Sequence, residues 1–111
     1  MDEEKRISPR VHRRFILRAA VFGEEPLRWS FVTIHNLSSS GILFTFDRPV
    51  KKGDLLHLKI DFPDRVVQCM GRVMRLAGPR ENFQDVGASL EGIDPDARQY
   101  IDSVVRLNAR A

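Results

Sequence analysis

Between Leu56 and Phe62 the chain reads Leu-His-Leu-Lys-Ile-Asp-Phe, apolar and polar in strict alternation. Successive side chains of a β-strand point to opposite faces, so this stretch has one face for a core and one for water. A helix of the same residues would spread the apolar groups around its circumference. The same period of two recurs along the chain. Phe15, Leu17, Ala19 and Val21 mark a first strand, and Trp29 to His35, rich in β-branched and aromatic residues, a second. Ile42, Phe44 and Phe46 mark a third, and Leu56 to Phe62 is the fourth. Val67, Cys69, Gly71 and Val73 line one face of a fifth, which Gly78-Pro79 is expected to end, and Phe83 to Glu91 forms a sixth with Val86, Ala88 and Leu90 on one side.

The intervening segments carry turn chemistry. Asn36 to Gly41 is a cluster of Asn, Ser and Gly, Asp47 to Gly53 is a loop with Pro49, and Pro63-Asp64 is a short turn. After Glu91 the period changes. Asp94-Pro95 is a helix N-cap followed by proline at the first helical position. Ala97, Ile101, Val104, Val105 and Asn108 then fall near one helical face, which predicts a helix from Pro95 to Leu107. Six short strands with regular turns and one terminal helix predict an all-β fold, a six-stranded antiparallel closed barrel with a C-terminal α-helix.

A length of 111 residues suits a single domain. The division expected is a basic N-terminal arm over residues 1–12 and a barrel with its helix over residues 13–111. Pro9 removes a donor and biases Ser8 away from helix, so the arm is expected to be irregular. A charged start without an apolar segment reads as no signal peptide, and no apolar run approaches the ~20 residues of a membrane span. A single cysteine excludes an intrachain disulfide. Together these features predict a cytoplasmic protein with no membrane partner.

Chemistry is sparse. His12, His35 and His57 have no metal-ligand spacing, and Cys69 lies on a strand without a second cysteine nearby. Paired carboxylates, a nucleophile elbow and a phosphate-loop glycine run are all lacking, so neither catalytic residues, metal nor cofactor is expected. Charge is more informative. From Lys5 to Arg18 there are six basic residues and no acidic one, a segment suited to an anion.

Two short motifs stand out against this background. Arg6 and Arg10 are spaced by four in Arg-Ile-Ser-Pro-Arg, and Asn36-Leu-Ser38-Ser-Ser-Gly41 follows 26 residues after Arg10. The pair resembles the signature of PilZ domains, RxxxR followed by Asn/Asp-x-Ser-x-x-Gly, and the likeness extends over nearly the whole chain through strand order and closing helix. Gly71-Arg72-Val73 and Val86-Gly87-Ala88 are similar to family features of the last two strands. The family often has tryptophan near Arg75 and phenylalanine near Leu90, and this chain departs from it at both. The arginine motif is weak alone, since roughly one or two chance matches are expected in so arginine-rich a chain. Arg10/Arg14 and Arg14/Arg18 also match, but Arg6/Arg10 precedes the first strand and carries the Pro9-Arg10-Val11 context. The second motif has about 0.05 chance matches per chain and sits where a strand-connecting turn is expected.

The resemblance implies a non-catalytic receptor for cyclic di-GMP with Arg6, Arg10, Asn36, Ser38 and Gly41 as its ligand residues. It also implies an effector protein as partner, in control of motility, biofilm, exopolysaccharide or virulence. The chemistry agrees. An arginine fork binds a phosphate through two charge-assisted hydrogen bonds, or O6 and N7 of guanine, or stacks on the base. Asn36 and Ser38 offer polar groups to a guanine edge, and Gly41 admits positive φ or a close backbone approach. The alternatives are a docking barrel that ignores nucleotide and, below it, a single-stranded nucleic-acid barrel. The last needs aromatic platforms beside a basic groove, whereas these aromatics mostly alternate as core does.

Overall fold

The computed structural model describes residues 15–80 and 83–110. Six strands and one helix follow in order: β1 (Ile16–Val21), β2 (Ser30–Leu37), β3 (Gly41–Phe46), β4 (Leu55–Phe62), β5 (Arg65–Arg80), β6 (Phe83–Glu91) and α1 (Pro95–Arg110). The strands close into an antiparallel barrel in the order β1-β2-β3-β6-β5-β4. Closure is made by β1 on β4, from Ile16 opposite Asp61 to Val21 opposite Leu56. A closed barrel leaves no free sheet edge.

The alternation read from the sequence is the alternation of burial. Leu56, Leu58, Ile60 and Phe62 of β4 point inward with Leu17 and Ala19 of β1 and Phe44 and Phe46 of β3. No polar or charged residue is buried among those described, so the core is made by apolar area alone. A fully buried side chain of this kind contributes about 1.5–3 kcal/mol. Gly71 is needed by packing: a Cβ there would lie 2.7 Å from Leu58 Cδ1.

The helix closes one end of the barrel. Asp94 caps it, accepting from the Ala97 amide at 2.8 Å, as its sequence predicts. Ala97 and Ile101, one turn apart, are buried in the barrel core, and Val104 and Val105 pack against it. Tyr100 packs edge-on to Phe62 with ring centroids 5.1 Å apart, donates to Asp64, and carries Arg65 over its ring at 4.8 Å. Phe15 packs on Phe62 at 4.9 Å, so the chain enters β1 at this same end. The opposite end is held by Arg48, which donates to Glu24 at 2.6 Å and to the Arg28 carbonyl at 2.7 Å. No helix among the described residues is long and apolar enough to cross a membrane.

Three boundaries differ from the sequence reading. β2 continues through Asn36 and Leu37, because a register shift after Ile34 lets Asn36 pair with Leu43. β5 is not ended by Gly78-Pro79. Gly78 takes positive φ, Pro79 lacks an N–H, and the ladder absorbs both in an irregularity between Ala77 and Arg80 before Arg80 pairs with Phe83. The helix runs three residues past Leu107, to Arg110.

Candidate functional site

The Asn36–Gly41 motif lies at the helix end of the barrel, where β2 turns into β3. Ser38 ties this turn to itself. Its amide donates to the Gly41 carbonyl at 2.9 Å, and its hydroxyl receives the Ser40 and Gly41 amides at 3.3 and 3.2 Å. The side chain therefore does the work of a serine turn, satisfying backbone donors that the tight reversal leaves unpaired. Two further bonds hold the turn to its surroundings. Leu90 of β6 donates its amide to the Ser40 carbonyl at 3.0 Å, and Arg98 of α1 donates to the Ser39 carbonyl at 2.7 Å.

Gly41 serves by close approach. Its φ is not in the left-handed region, but a Cβ there would lie 3.2 Å from the Ala88 carbonyl oxygen across the ladder. Of the two roles its motif position suggests, positive φ is thus set aside, and backbone proximity to β6 is the reason for glycine.

Asn36 is exposed on the outer face, and it gets there through a bulge. On β3 one step separates Phe44 from Leu43, while on β2 two steps separate Ile34 from Asn36. The extra residue turns both His35 and Asn36 outward and returns Leu37 to the core, where plain alternation would have kept it out. His35 bonds away from the motif, with Nε2 2.6 Å from Thr45 Oγ1; Thr45 in turn donates to Asp85 at 2.9 Å, so His35 is the donor of its bond.

A groove of about 350 Å³ opens beside the turn on the outer face of β3, β6 and β5. Asn36, Ser38, Ser40 and Gly41 form one wall; Met74 and Arg75 of β5 form the other; Gly87 and Ser89 lie in its floor. Three motif residues expected from the sequence thus meet in one concavity. Arg6 and Arg10 lie outside the described residues, as do Lys5, Arg13 and Arg14.

Arg75 was not legible as a groove residue. It continues the inward series Val67, Cys69, Gly71, Val73, and at period two it belongs in the core. A second bulge, between Val73 and Arg75, turns Met74 and Arg75 outward together and brings Leu76 against the core instead. A charged residue in phase with an apolar series, followed at once by leucine, is the signal that marks such a bulge.

Cys69 is the free thiol of the fifth strand and faces the core. Burial pushes its pKa from 9.0 up to about 11, against a smaller opposing pull from Arg98. A thiol so raised stays protonated near neutrality, the form that is not nucleophilic. Among the described residues no three His, Cys, Asp or Glu side chains group as metal ligands.

The profile of the PilZ domain matches residues 4–107, nearly the entire chain. The protein belongs to the PilZ domain family. PilZ domains are non-catalytic receptors for cyclic di-GMP. Solved structures carry the same fold. The Bacillus subtilis inhibitor of motility MotI/DgrA is similar with a TM-score of 0.72 at 17% identity, over 92% of this chain and 51% of that one. This PilZ domain thus spans about half the length of MotI/DgrA. The PilZ domain with c-di-GMP of YcgR from Escherichia coli is similar with a TM-score of 0.65 at 10% identity, over 90% of this chain and 85% of that one. No curated protein matches the chain.

Proposed function

We propose that this PilZ domain binds cyclic di-GMP in the groove beside the β2–β3 turn, with Arg6 and Arg10 of the N-terminal arm closing over the ligand. The observation that carries the proposal is spatial. Asn36, Ser38 and Gly41 line an open groove at the barrel end where the chain also enters β1, marked by Phe15 on Phe62. Five residue steps lead from Arg10 to Phe15, a reach of about 17 Å when extended. From β1 to β6 there are three strand spacings, about 14 Å. Arg10 can therefore reach the groove without any change in the barrel.

In this assignment the barrel offers the guanine edge short polar groups, chiefly Asn36, and the arm supplies the cations that the phosphates require. Ser38 acts mostly by holding the turn. Residues 1–12 become ordered when the ligand neutralises their charge, and the altered surface is passed to an effector protein in the cytoplasm. Control of motility, biofilm, exopolysaccharide or virulence is the expected output.

Calorimetric titration with cyclic di-GMP tests the proposal. Saturable binding that survives an excess of random single-stranded oligonucleotide is the expected result. A titration without binding overturns the receptor assignment and leaves the barrel as a protein-docking module, while equal competition by oligonucleotide points to nucleic acid.

A further inference from the structure

The pairing registers place four residues in one row across the outer face of the barrel. Asn36 of β2 stands opposite Leu43 of β3, Leu43 opposite Gly87 of β6, and Gly87 opposite Arg75 of β5. Both ends of the row are set by the two bulges. Near the Arg75 end the row has a gap, because Gly87 has no side chain. A Cβ there would meet Arg75 Nε at 3.6 Å, Cβ at 3.7 Å and Nη2 at 3.9 Å. The arginine is thus laid back across Gly87 along the groove floor.

Its charge has no counter-ion among the described residues. Among the described residues Arg75 makes no hydrogen bond, ion pair or ring contact, and it is the one charged side chain that lines the groove. Elsewhere on the barrel the arginines are engaged: Arg18 with Asp61, Arg48 with Glu24, Arg72 with Glu91. Among the described residues no carboxylate lines the groove to occupy Arg75 in the same way. A guanidinium presents five donors in a planar fork suited to two oxygens of a phosphate.

We infer that Arg75 is a ligand-binding residue of this domain, pairing with a phosphodiester group of the cyclic dinucleotide from the barrel side. This rests on the receptor assignment above and adds a contact outside the two sequence motifs. Arg75 is already in place across Gly87, on the side of the groove opposite the motif turn. Arg75 has no polar partner among the described residues, so a replacement that keeps its aliphatic stem over Gly87 is expected to leave folding intact.

The test is calorimetric titration of cyclic di-GMP into wild type, Arg75→Met and Arg75→Lys at low and moderate salt, with melting temperatures recorded for each. Arg75→Met keeps the aliphatic stem and removes the charge. It is expected to melt with wild type, to bind at least tenfold more weakly, and to show a flatter salt dependence because one screened ionic contact is gone. Arg75→Lys is expected to recover part of the affinity and the salt dependence. Wild-type affinity in Arg75→Met overturns the inference while leaving the receptor assignment standing. So does a loss that Arg75→Lys fails to recover at unchanged salt dependence, since that pattern belongs to a base contact. If wild type does not bind the dinucleotide, the receptor assignment falls and this contact with it.

Discussion

Arg75 and Gly87 face each other across the β5–β6 ladder, and the arginine lies over the glycine in the space a side chain would have filled. That relationship brings a cation into the groove formed by the Asn36–Gly41 turn, on the opposite wall from the motif. It exists because β5 carries one residue more than β6 between Val73 and Arg75.

Replacing Arg6 or Arg10 by alanine is expected to leave the barrel folded and to remove most binding of cyclic di-GMP. Loss of a desolvated charged contact costs about 2–5 kcal/mol. Calorimetry on the two variants checks this. Unchanged affinity in both would refute the arm assignment, and a large effect confined to Arg14→Ala would move the motif by one register.

Asn36 and Ser38 are expected to behave differently. Ser38 bonds to the turn's own backbone, so Ser38→Ala should lower stability by about 1 kcal/mol and weaken binding with it. Asn36 makes no side-chain bond to the turn, so Asn36→Ala should weaken binding while leaving the melting temperature near wild type. Melting curves and titrations on both variants decide the matter. Equal losses of stability in the two would make the whole motif structural.

Arg98 joins α1 to the β2–β3 turn through the Ser39 carbonyl. Arg98→Met should loosen the turn, and the amides of Ser40 and Gly41 should exchange faster than in wild type. Protection of these amides at the wild-type level would show that Ser38 and Leu90 suffice to hold the turn.

Cys69 gives a pH-dependent expectation. Its thiol is neutral in the folded chain up to about 11, against 9.0 when unperturbed, because burial opposes the thiolate. A raised acid pKa favours folding fully below 9, and the contribution is lost as pH rises from 9 through about 11. Alkylation at pH 8 should therefore be negligible in the folded protein and rapid after denaturation. Cys69→Ala should flatten the fall in stability above pH 9. Prompt alkylation of the native protein at pH 8 would contradict the buried assignment.

Hydrogen exchange with and without cyclic di-GMP tests the proposed switch. New protection is expected in residues 1–12 and in the Asn36–Gly41 turn, with little change over Leu56–Phe62. Full protection of residues 1–12 before ligand is added would mean a preformed surface and no ordering step.

Period-two patterning located five of the strands, because a barrel strand presents one face to the core and one to water, and β-branched and aromatic content located the second. Leu56 to Phe62 and Val67 to Val73 are buried residue by residue as their alternation requires. The helix start was equally local, since Asp94 accepts the Ala97 amide and Pro95 has no N–H to satisfy. Asn36, Ser38 and Gly41 were legible as a motif, though the reason for glycine at 41, the Ala88 carbonyl across the ladder, was not.

What only tertiary structure decided are the two bulges and their consequences. A bulge is a mismatch between two paired strands, and neither strand's own alternation reports its partner's count. The mismatch after Ile34 sends Asn36 outward and Leu37 inward; the one after Val73 sends Arg75 outward and leaves Leu76 to pack on the core. Sequence by itself therefore determined which segments are strands and where the polar turn falls. The pairing of β2 with β3 and of β5 with β6 decided which side chains face the groove, because register is a property of the pair.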